Sequence, residues 1–375
     1  MKLVISVGRV ILQCIYYVIC LCPTQNKVVM ISRQSNTPSI DFKLLEKEIL
    51  KRKDGTKVVL LCRTLDGGLN SSILTKLGYV FHMFVQMYHL ATSKVCILDG
   101  YCIVASLLKH KRGLKVIQMW HSMGTMKKFG YSILDQEEGS SSNIATAMRM
   151  HKNYDYYFAS SPAYQAHLAA GFGCDESKAR IFPLPRVDLL KSETYAMKKQ
   201  KAIYAAYPQL KDHKVIVYAP TFRKDETMMQ EAFEQLAQHV PVGYLLIAKL
   251  HPLSKIKIDG PQVLHTEAFS TFDMLFVADY LISDYSCVVY EAVIRDIPLS
   301  FYAFDYDSYQ DRRGFAIDYE NELKDWIETD PALLMQKIKE DAFDKKQLKA
   351  FGHKYVKASK HVSQDIVDFI QQIKE

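Results

Sequence analysis

No Cys-x-x-Cys pair occurs among the eight cysteines of this 375-residue chain. Most of them lie inside apolar runs, so they read as reduced core thiols of a cytosolic protein, neither a zinc site nor a disulfide frame. No Gly-x-x-x-x-Gly-Lys-Ser/Thr loop is present, and no Gly-x-Gly-x-x-Gly follows a strand-like run, which takes ground from nucleoside-triphosphate hydrolysis and dinucleotide redox chemistry. Gly67-Gly68 and Gly171-Phe172-Gly173 read as turns. Internal repeats and low-complexity tracts are missing, no carboxylates are spaced for a divalent metal, and no RNP-type aromatic-basic segment points to RNA. Only one long apolar run occurs, at the amino terminus.

What is there is ordinary globular composition, 49% hydrophobic and 24% charged, which argues against a disordered, collagenous or coiled-coil chain. At roughly 150 residues per domain the length predicts two domains. Forty-eight Lys and Arg against 41 Asp and Glu leave a formal charge of +7. That surplus suits an anionic partner such as a nucleotide, a lipid headgroup or a phosphate polymer, although each short basic run can equally be a solvated face.

Leu3 to Cys22 is almost wholly apolar. Its polar members Ser6, Arg9 and Gln13 recur at spacings of three and four, which on a helix draws one narrow polar stripe beside a wide apolar face. Residues 1–22 are therefore expected to form a membrane-associating helix lying in the interface; packing against the domain and a true span are the other readings. A signal peptide fits less well, because no small-x-small site precedes Pro23.

After Pro23 come short β-rich runs at Lys27–Ser32, Lys57–Cys62, Lys94–Asp99, Lys115–Met119 and Tyr154–Ser160, separated by helical stretches such as Phe42–Lys53 and Gly78–Ala91. A second series follows at Lys214–Ala219, Gly243–Lys249, Tyr280–Ser283 and Leu299–Tyr302, with Glu226–His239 helical between. Apolar runs without strict alternation, spaced by helices, predict parallel strands covered on both faces. The expected organisation is two Rossmann-like domains, 23–188 and 189–345, and a helical tail, 346–375, crossing back toward the first. Pro183-x-Pro185 and the Lys/Gln-rich Lys191–Lys201 mark the expected linker, near 186–212.

Ligands of open α/β sheets bind beyond the carboxyl ends of the strands, so polar residues just after strand-like runs are the candidates. Trp120-His121 follows one run, with Lys127 and Lys128 close behind and able to frame an anionic pocket; a lone histidine is more often a structural one. Pro185-Arg186-Val187-Asp188 is a stiffened turn that fixes an arginine, and turn or ligand contact are both open. Thr221-Phe222-Arg223 puts a guanidinium fork after another strand, suited to a phosphate. His251-Pro252 follows the next. Ser283-Asp284-Tyr285-Ser286 runs into a helix start where backbone amides and hydroxyls can receive a diphosphate, or where Asp284 or Ser286 simply caps the helix; Glu291 lies further along.

The order Trp120-His121, Lys127-Lys128, Gly130, Pro185-Arg186-Val187-Asp188, Tyr218-Ala219-Pro220-Thr221-Phe222-Arg223, His251-Pro252, Ser283-Asp284-Tyr285-Ser286, Phe304-Asp305, Tyr309 and Arg313-Gly314 resembles the CDP-glycerol glycerophosphotransferase family, the teichoic-acid primases and polymerases of Gram-positive bacteria. The resemblance runs from about Lys27 to the tail. It departs at Ser122 and Cys287, where many members carry glycine and serine, and at Asp318-Tyr319-Glu320-Asn321, where a proline-glycine turn is frequent. The missing amino-terminal region of the long polymerases places the chain nearer the short primase type.

The resemblance implies a GT-B fold, two Rossmann-like domains facing across a cleft, and a peripheral enzyme of the cytoplasmic membrane face. It implies transfer of glycerol phosphate from CDP-glycerol to an undecaprenyl-linked saccharide with release of CMP; CDP-ribitol and polymerase activity are the variants. His121 is then the general base, and His251 donates to the leaving phosphate. Arg223 and Ser283, Asp284, Tyr285 and Ser286 hold the diphosphate with Thr221, Glu291 binds ribose, and Trp120, Lys127, Lys128, Arg186 and Arg313 complete the substrate contacts. No cofactor is expected; with no carboxylates spaced for a divalent metal, cationic side chains take its place, an assisting divalent metal being the other reading. Partners are the CDP-polyol, the lipid-linked acceptor and an anionic membrane surface, without nucleic acid; a homo-oligomer is left open. A GT-B glycosyltransferase using a nucleotide sugar is the rival enzyme, and a non-catalytic basic binding protein the rival class.

Overall fold

The computed structural model describes residues 2–64 and 72–375; the expected Gly67-Gly68 turn lies outside them. The chain divides into two compact units, one made of 1–123, 129–188 and 359–375, the other of 124–128 and 189–358.

The first unit carries six parallel strands: β1 (Lys27–Ser32), β2 (Lys57–Cys62), β3 (Val95–Leu98), β4 (Lys115–Gln118), β5 (Tyr156–Ala159) and β6 (Ala179–Ile181). Their order is β2-β1-β3-β4-β5-β6, with Val28 opposite Val58 on one side and Val95 on the other. β1 and β3 are buried at every residue. They are covered on both faces, which is why their sequences run apolar without alternation. β6 was not expected, because three half-buried residues including Arg180 carry no apolar run.

The second unit carries β7 (Lys214–Tyr218), β8 (Tyr244–Ala248), β9 (Tyr280–Ser283), β10 (Leu299–Tyr302) and β11 (Ile327–Glu328), all parallel, in the order β11-β10-β9-β7-β8. Ile216, Leu246, Ile282, Phe233 and Leu236 share its core. In each sheet the chain reverses direction of winding beside its first strand, between β1 and β3 and between β7 and β9. A crevice opens beyond the carboxyl ends of the strands at such a switch point.

Lys191–Lys201, expected as linker, is mostly the helix Glu193–Ala206, started by Ser192, whose hydroxyl accepts from the Tyr195 amide. The tail is split. Lys345–Tyr355 packs on the helix Val288–Ile294 in the second unit, whereas Val362–Lys374 packs on Ile40–Lys51 in the first.

Among the described residues no helix is long and apolar enough to cross a membrane, which removes the spanning reading of residues 1–22. The helix Lys2–Ile19 presents Val7, Val10, Ile11, Tyr17 and Val18 outward, while Gln13 accepts from the Lys109 amide at 2.8 Å. Gln13 and the buried Tyr16 are thus held within the unit, while one run of apolar side chains stays exposed.

Candidate functional site

In the first unit the site begins at the end of β4. Gln118, wholly buried, accepts from the Trp120 amide at 3.0 Å through Oε1, and Trp120 takes a left-handed backbone, φ 67°. Such a conformation costs a bulky residue about 1–3 kcal/mol and persists only where surroundings fix it. Here the indole sits among Phe129, Phe172 and His151, at ring separations of 4.8, 5.3 and 6.1 Å. Glycine makes the box possible: a Cβ on Gly171 would come within 2.4 Å of the Phe129 ring, and one on Gly130 within 2.1 Å of the Gly171 carbonyl oxygen. Gly171 is therefore a helix residue chosen for close approach, and only Gly173, φ 58°, is the turn. Trp120, expected to touch substrate, is half-buried against these rings.

The left-handed turn delivers His121 to the surface, exposed, with its ring 4.3 Å from the indole. Its Nδ1 lies 2.9 Å from the Asp99 carbonyl oxygen at the end of β3. A carbonyl only accepts, so Nδ1 carries the proton and, in the neutral ring, Nε2 carries the basic lone pair. The Asp99 carboxyl itself is buried, its pKa pushed up to about 6 by desolvation, partly opposed by Ser32.

Arg186 does not join an anionic pocket. Its Nε and NH2 both reach Asp41 Oδ2, and its amide reaches Oδ1. Asp188 accepts from the amides of Val362 and Ser363 and so caps the last helix. The Pro185–Asp188 motif is a structural clasp.

In the second unit the switch point between β7 and β9 holds a buried ionic cluster. Arg223, 7% exposed, gives Nε and NH2 to Asp305 at 3.1 and 2.9 Å, and NH1 to Asp284 and to the Thr221 carbonyl. Four of its five donors are thereby taken. The fork expected to grip a phosphate grips two carboxylates. Asp284 also accepts from the Thr221 amide, Tyr285 donates to Asp305 at 3.1 Å, and Ser283 donates to the Ala219 carbonyl at 2.8 Å. Asp284, Tyr285 and Ser283, expected on the diphosphate, are fully buried and order the strand ends instead. Asp305 is the member that strand-end reasoning missed, since it stands three residues past the end of β10.

Cations above that cluster are differently placed. The strap 124–128 lies against the second unit through a Lys127–Phe315 bridge and the Lys128 amide on the Gly314 carbonyl. Among the described residues Lys127 has no carboxylate in ion-pair distance; its ammonium reaches the Thr221 hydroxyl at 3.4 Å and the Tyr309 ring at 6.0 Å. Desolvation, then Arg313, lowers its pKa to about 8. Arg313 donates to the Lys128 carbonyl at 3.2 Å. Ser286, directly after Tyr285, is half-buried, and Glu291 is buried on the short helix Val288–Ile294.

His251 is exposed, its ring 4.9 Å from Phe222. Its Nδ1 accepts from the Leu253 amide at 3.2 Å. An amide only donates, so the neutral ring carries its proton on Nε2. The two neutral histidines thus have opposite tautomers, with Nε2 an acceptor on His121 and a donor on His251. Among the described residues no three His, Cys, Asp or Glu stand together to hold a metal.

This chain is similar to known proteins over nearly its whole length. It is 31% identical over 368 residues, 93% of each chain, to the teichoic acid ribitol-phosphate primase of Bacillus spizizenii. It is 30% identical over 301 residues, 78% of this chain and 77% of the other, to the teichoic acid glycerol-phosphate primase of Bacillus subtilis. Its fold resembles that of a variant of the wall teichoic acid polymerase TagF soaked with CDPG, with a TM-score of 0.76 and 19% identity over 100% of this chain and 97% of that one. The profile of the CDP-glycerol:poly(glycerophosphate) glycerophosphotransferases matches residues 15–372, and with relatives of this length and identity the chain belongs to that family.

Proposed function

We propose that this protein transfers glycerol phosphate from CDP-glycerol to a lipid-linked saccharide acceptor in wall teichoic acid synthesis, acting as a primase on a GT-B architecture. The acceptor hydroxyl oxygen forms a bond to the polyol-bearing phosphorus, the bond from that phosphorus to the bridging oxygen breaks, and CMP leaves. His121 Nε2 takes the hydroxyl proton, and His251 Nε2–H hydrogen-bonds the leaving phosphate. Lys127, Lys128, Arg313 and Ser286 face the negative charge, Glu291 the ribose. Arg223, Asp284, Asp305, Tyr285 and Ser283 hold the strand ends in place beneath them. What supports this reading is the opposite tautomers of the two histidines, each imposed by a backbone partner.

A second donor is favoured by a specific observation, the fuller coverage by the ribitol-phosphate primase, 93% against 78%. The two are separated by mass spectrometry of products after mixing the protein with CDP-glycerol, CDP-ribitol or UDP-sugars and a short lipid-linked disaccharide. One added glycerol phosphate, with CMP released, is the expected product. Addition of ribitol phosphate alone replaces glycerol, and product only from UDP-sugars overturns the phosphotransferase reading. Replacing His121 by Ala lowers turnover by roughly 10²–10⁴-fold; full activity removes it as the base.

Peripheral attachment to an anionic membrane is part of this reading. The helices Lys2–Ile19 and Ile73–Thr92 pack together, and the second exposes Ile73, Leu74, Leu77 and Phe81 beside the first helix's exposed apolar residues. The run Lys109–Arg112 is tied to the first helix by Gln13, Tyr16 and the Cys22 carbonyl, so basic charge borders apolar surface there.

A further inference from the structure

We infer that Gln118 is a positioning residue for His121, a brace that joins the loop after β3 to the loop after β4. The inference rests on His121 being the base proposed above, and it adds the device that sets where its Nε2 points.

His121 is aimed by two things, the left-handed backbone of Trp120 and the carbonyl of Asp99. The Gln118 carboxamide governs both. Its Oε1 accepts from the Trp120 amide at 3.0 Å, and its Nε2 donates to the Gly100 carbonyl at 3.0 Å, one residue from Asp99. The other Nε2 proton goes to the Tyr154 hydroxyl at 2.9 Å. That hydroxyl then donates to His151 Nδ1 at 2.8 Å. Burial pushes the His151 pKa down to about 4, so it stays a neutral acceptor and the chain of donors keeps one direction. Gln118 has no exposed surface and sits at the last position of β4, where its backbone is fixed by the sheet and its side chain alone spans the two loops. An apolar side chain of the same length fills the space without joining them.

The experiment compares Gln118→Met and Gln118→Glu with the parent and with His121→Ala, measuring kcat, KM for CDP-glycerol, thermal midpoint and, in a Trp326→Phe background, the emission of Trp120. Gln118→Met is expected to lower kcat by about 10²-fold, the effect of misplacing a reacting group by about 1 Å, with KM for the donor within about twofold of the parent. Gln118→Glu keeps the acceptor for the Trp120 amide but presents an oxygen to the Gly100 carbonyl, so it loses part of kcat with the same unchanged KM. Both are expected to shift Trp120 emission. Parental kcat with parental emission in either folded variant overturns the brace. Should His121→Ala retain activity, the base assignment fails by itself, and the emission still decides whether Gln118 holds the turn.

Discussion

At the level of single residues, Arg223 and Lys127 show how far charge alone misleads. Both are cations placed after strand-like runs, yet one is neutralised by two buried carboxylates and the other, among the described residues, has none in ion-pair distance. Removing Arg223 leaves Asp284 buried without its ion-pair partner and Asp305 with only Arg312, at 4.0 Å, and breaking a buried pair in this way costs about 3–5 kcal/mol. Arg223→Ala is therefore expected to lower the thermal midpoint strongly, not merely weaken donor binding; a parental midpoint with lost donor binding would restore the phosphate fork. Lys127 predicts a pH dependence. Its ammonium persists below about 8 and is lost above, among Arg223, Arg313, Asp284 and Cys287, so CDP-polyol affinity falls as pH rises through 8, by at most about tenfold per unit. Lys127→Met should flatten that slope in calorimetric titrations at pH 7 and 9. The positions of both residues were legible from strand ends; the carboxylates that hold Arg223, 61 and 82 residues away along the chain, were not.

Elements repeat the lesson in apolar form. β1 and β2 fall where the runs Lys27–Ser32 and Lys57–Cys62 put them; β1 is buried throughout and β2, beside it at the sheet edge, is half-buried past Lys57, and both run apolar without alternation. β11 escapes such reading, since two residues, Ile327 and Glu328, pair only on the sheet edge. The helix Ile73–Thr92 is read as helix from Gly78 onward but begins five residues earlier, at a Ser72 cap that accepts from the Thr75 amide. Its exposed start joins the amino-terminal helix in the proposed membrane face. Burying one large apolar side chain is worth about 1.5–3 kcal/mol, so Val10→Asp or Leu74→Asp is expected to lower binding to anionic vesicles about tenfold or more in co-sedimentation. Neither side chain is in the core, so the melting curve should not move. Unchanged sedimentation of both would remove the membrane face.

Over the whole molecule, the chain leaves the first unit at Asp188 and returns to it after Ala358. The returning helix buries Val362, Ile366, Val367 and Ile370 and ends with Lys374 on Asp54 at 2.5 Å. That hydrogen bond, foremost, holds the Asp54 carboxyl well below its usual range. A depressed carboxyl contributes stability above the unfolded-state value near ~3.9 and loses it as pH falls through its folded value. Lys374→Ala should thus cost about 1 kcal/mol at pH 7, the scale of a partly exposed pair, with the difference from the parent shrinking once acid titrates Asp54 in both. Thermal melts at pH 7 and at progressively lower pH measure it; a difference independent of pH would assign the loss to packing.

The sequence by itself determined the parallel α/β class, the strands that are long enough to be apolar, the order of the motifs and hence the family. Those are properties of neighbours along the chain, where periodicity and spacing act directly. Only the tertiary structure decided that Arg186 and Arg223 serve carboxylates, that Trp120 is half-buried against aromatic rings, and which nitrogen of His121 and of His251 bears the proton. The partners of Arg186, Arg223 and His121 lie 145, 61 and 22 residues away and are brought close by the parallel crossovers, so they leave no pattern in the residues beside them. His251 instead takes its tautomer from the Leu253 amide, through the conformation of its own loop.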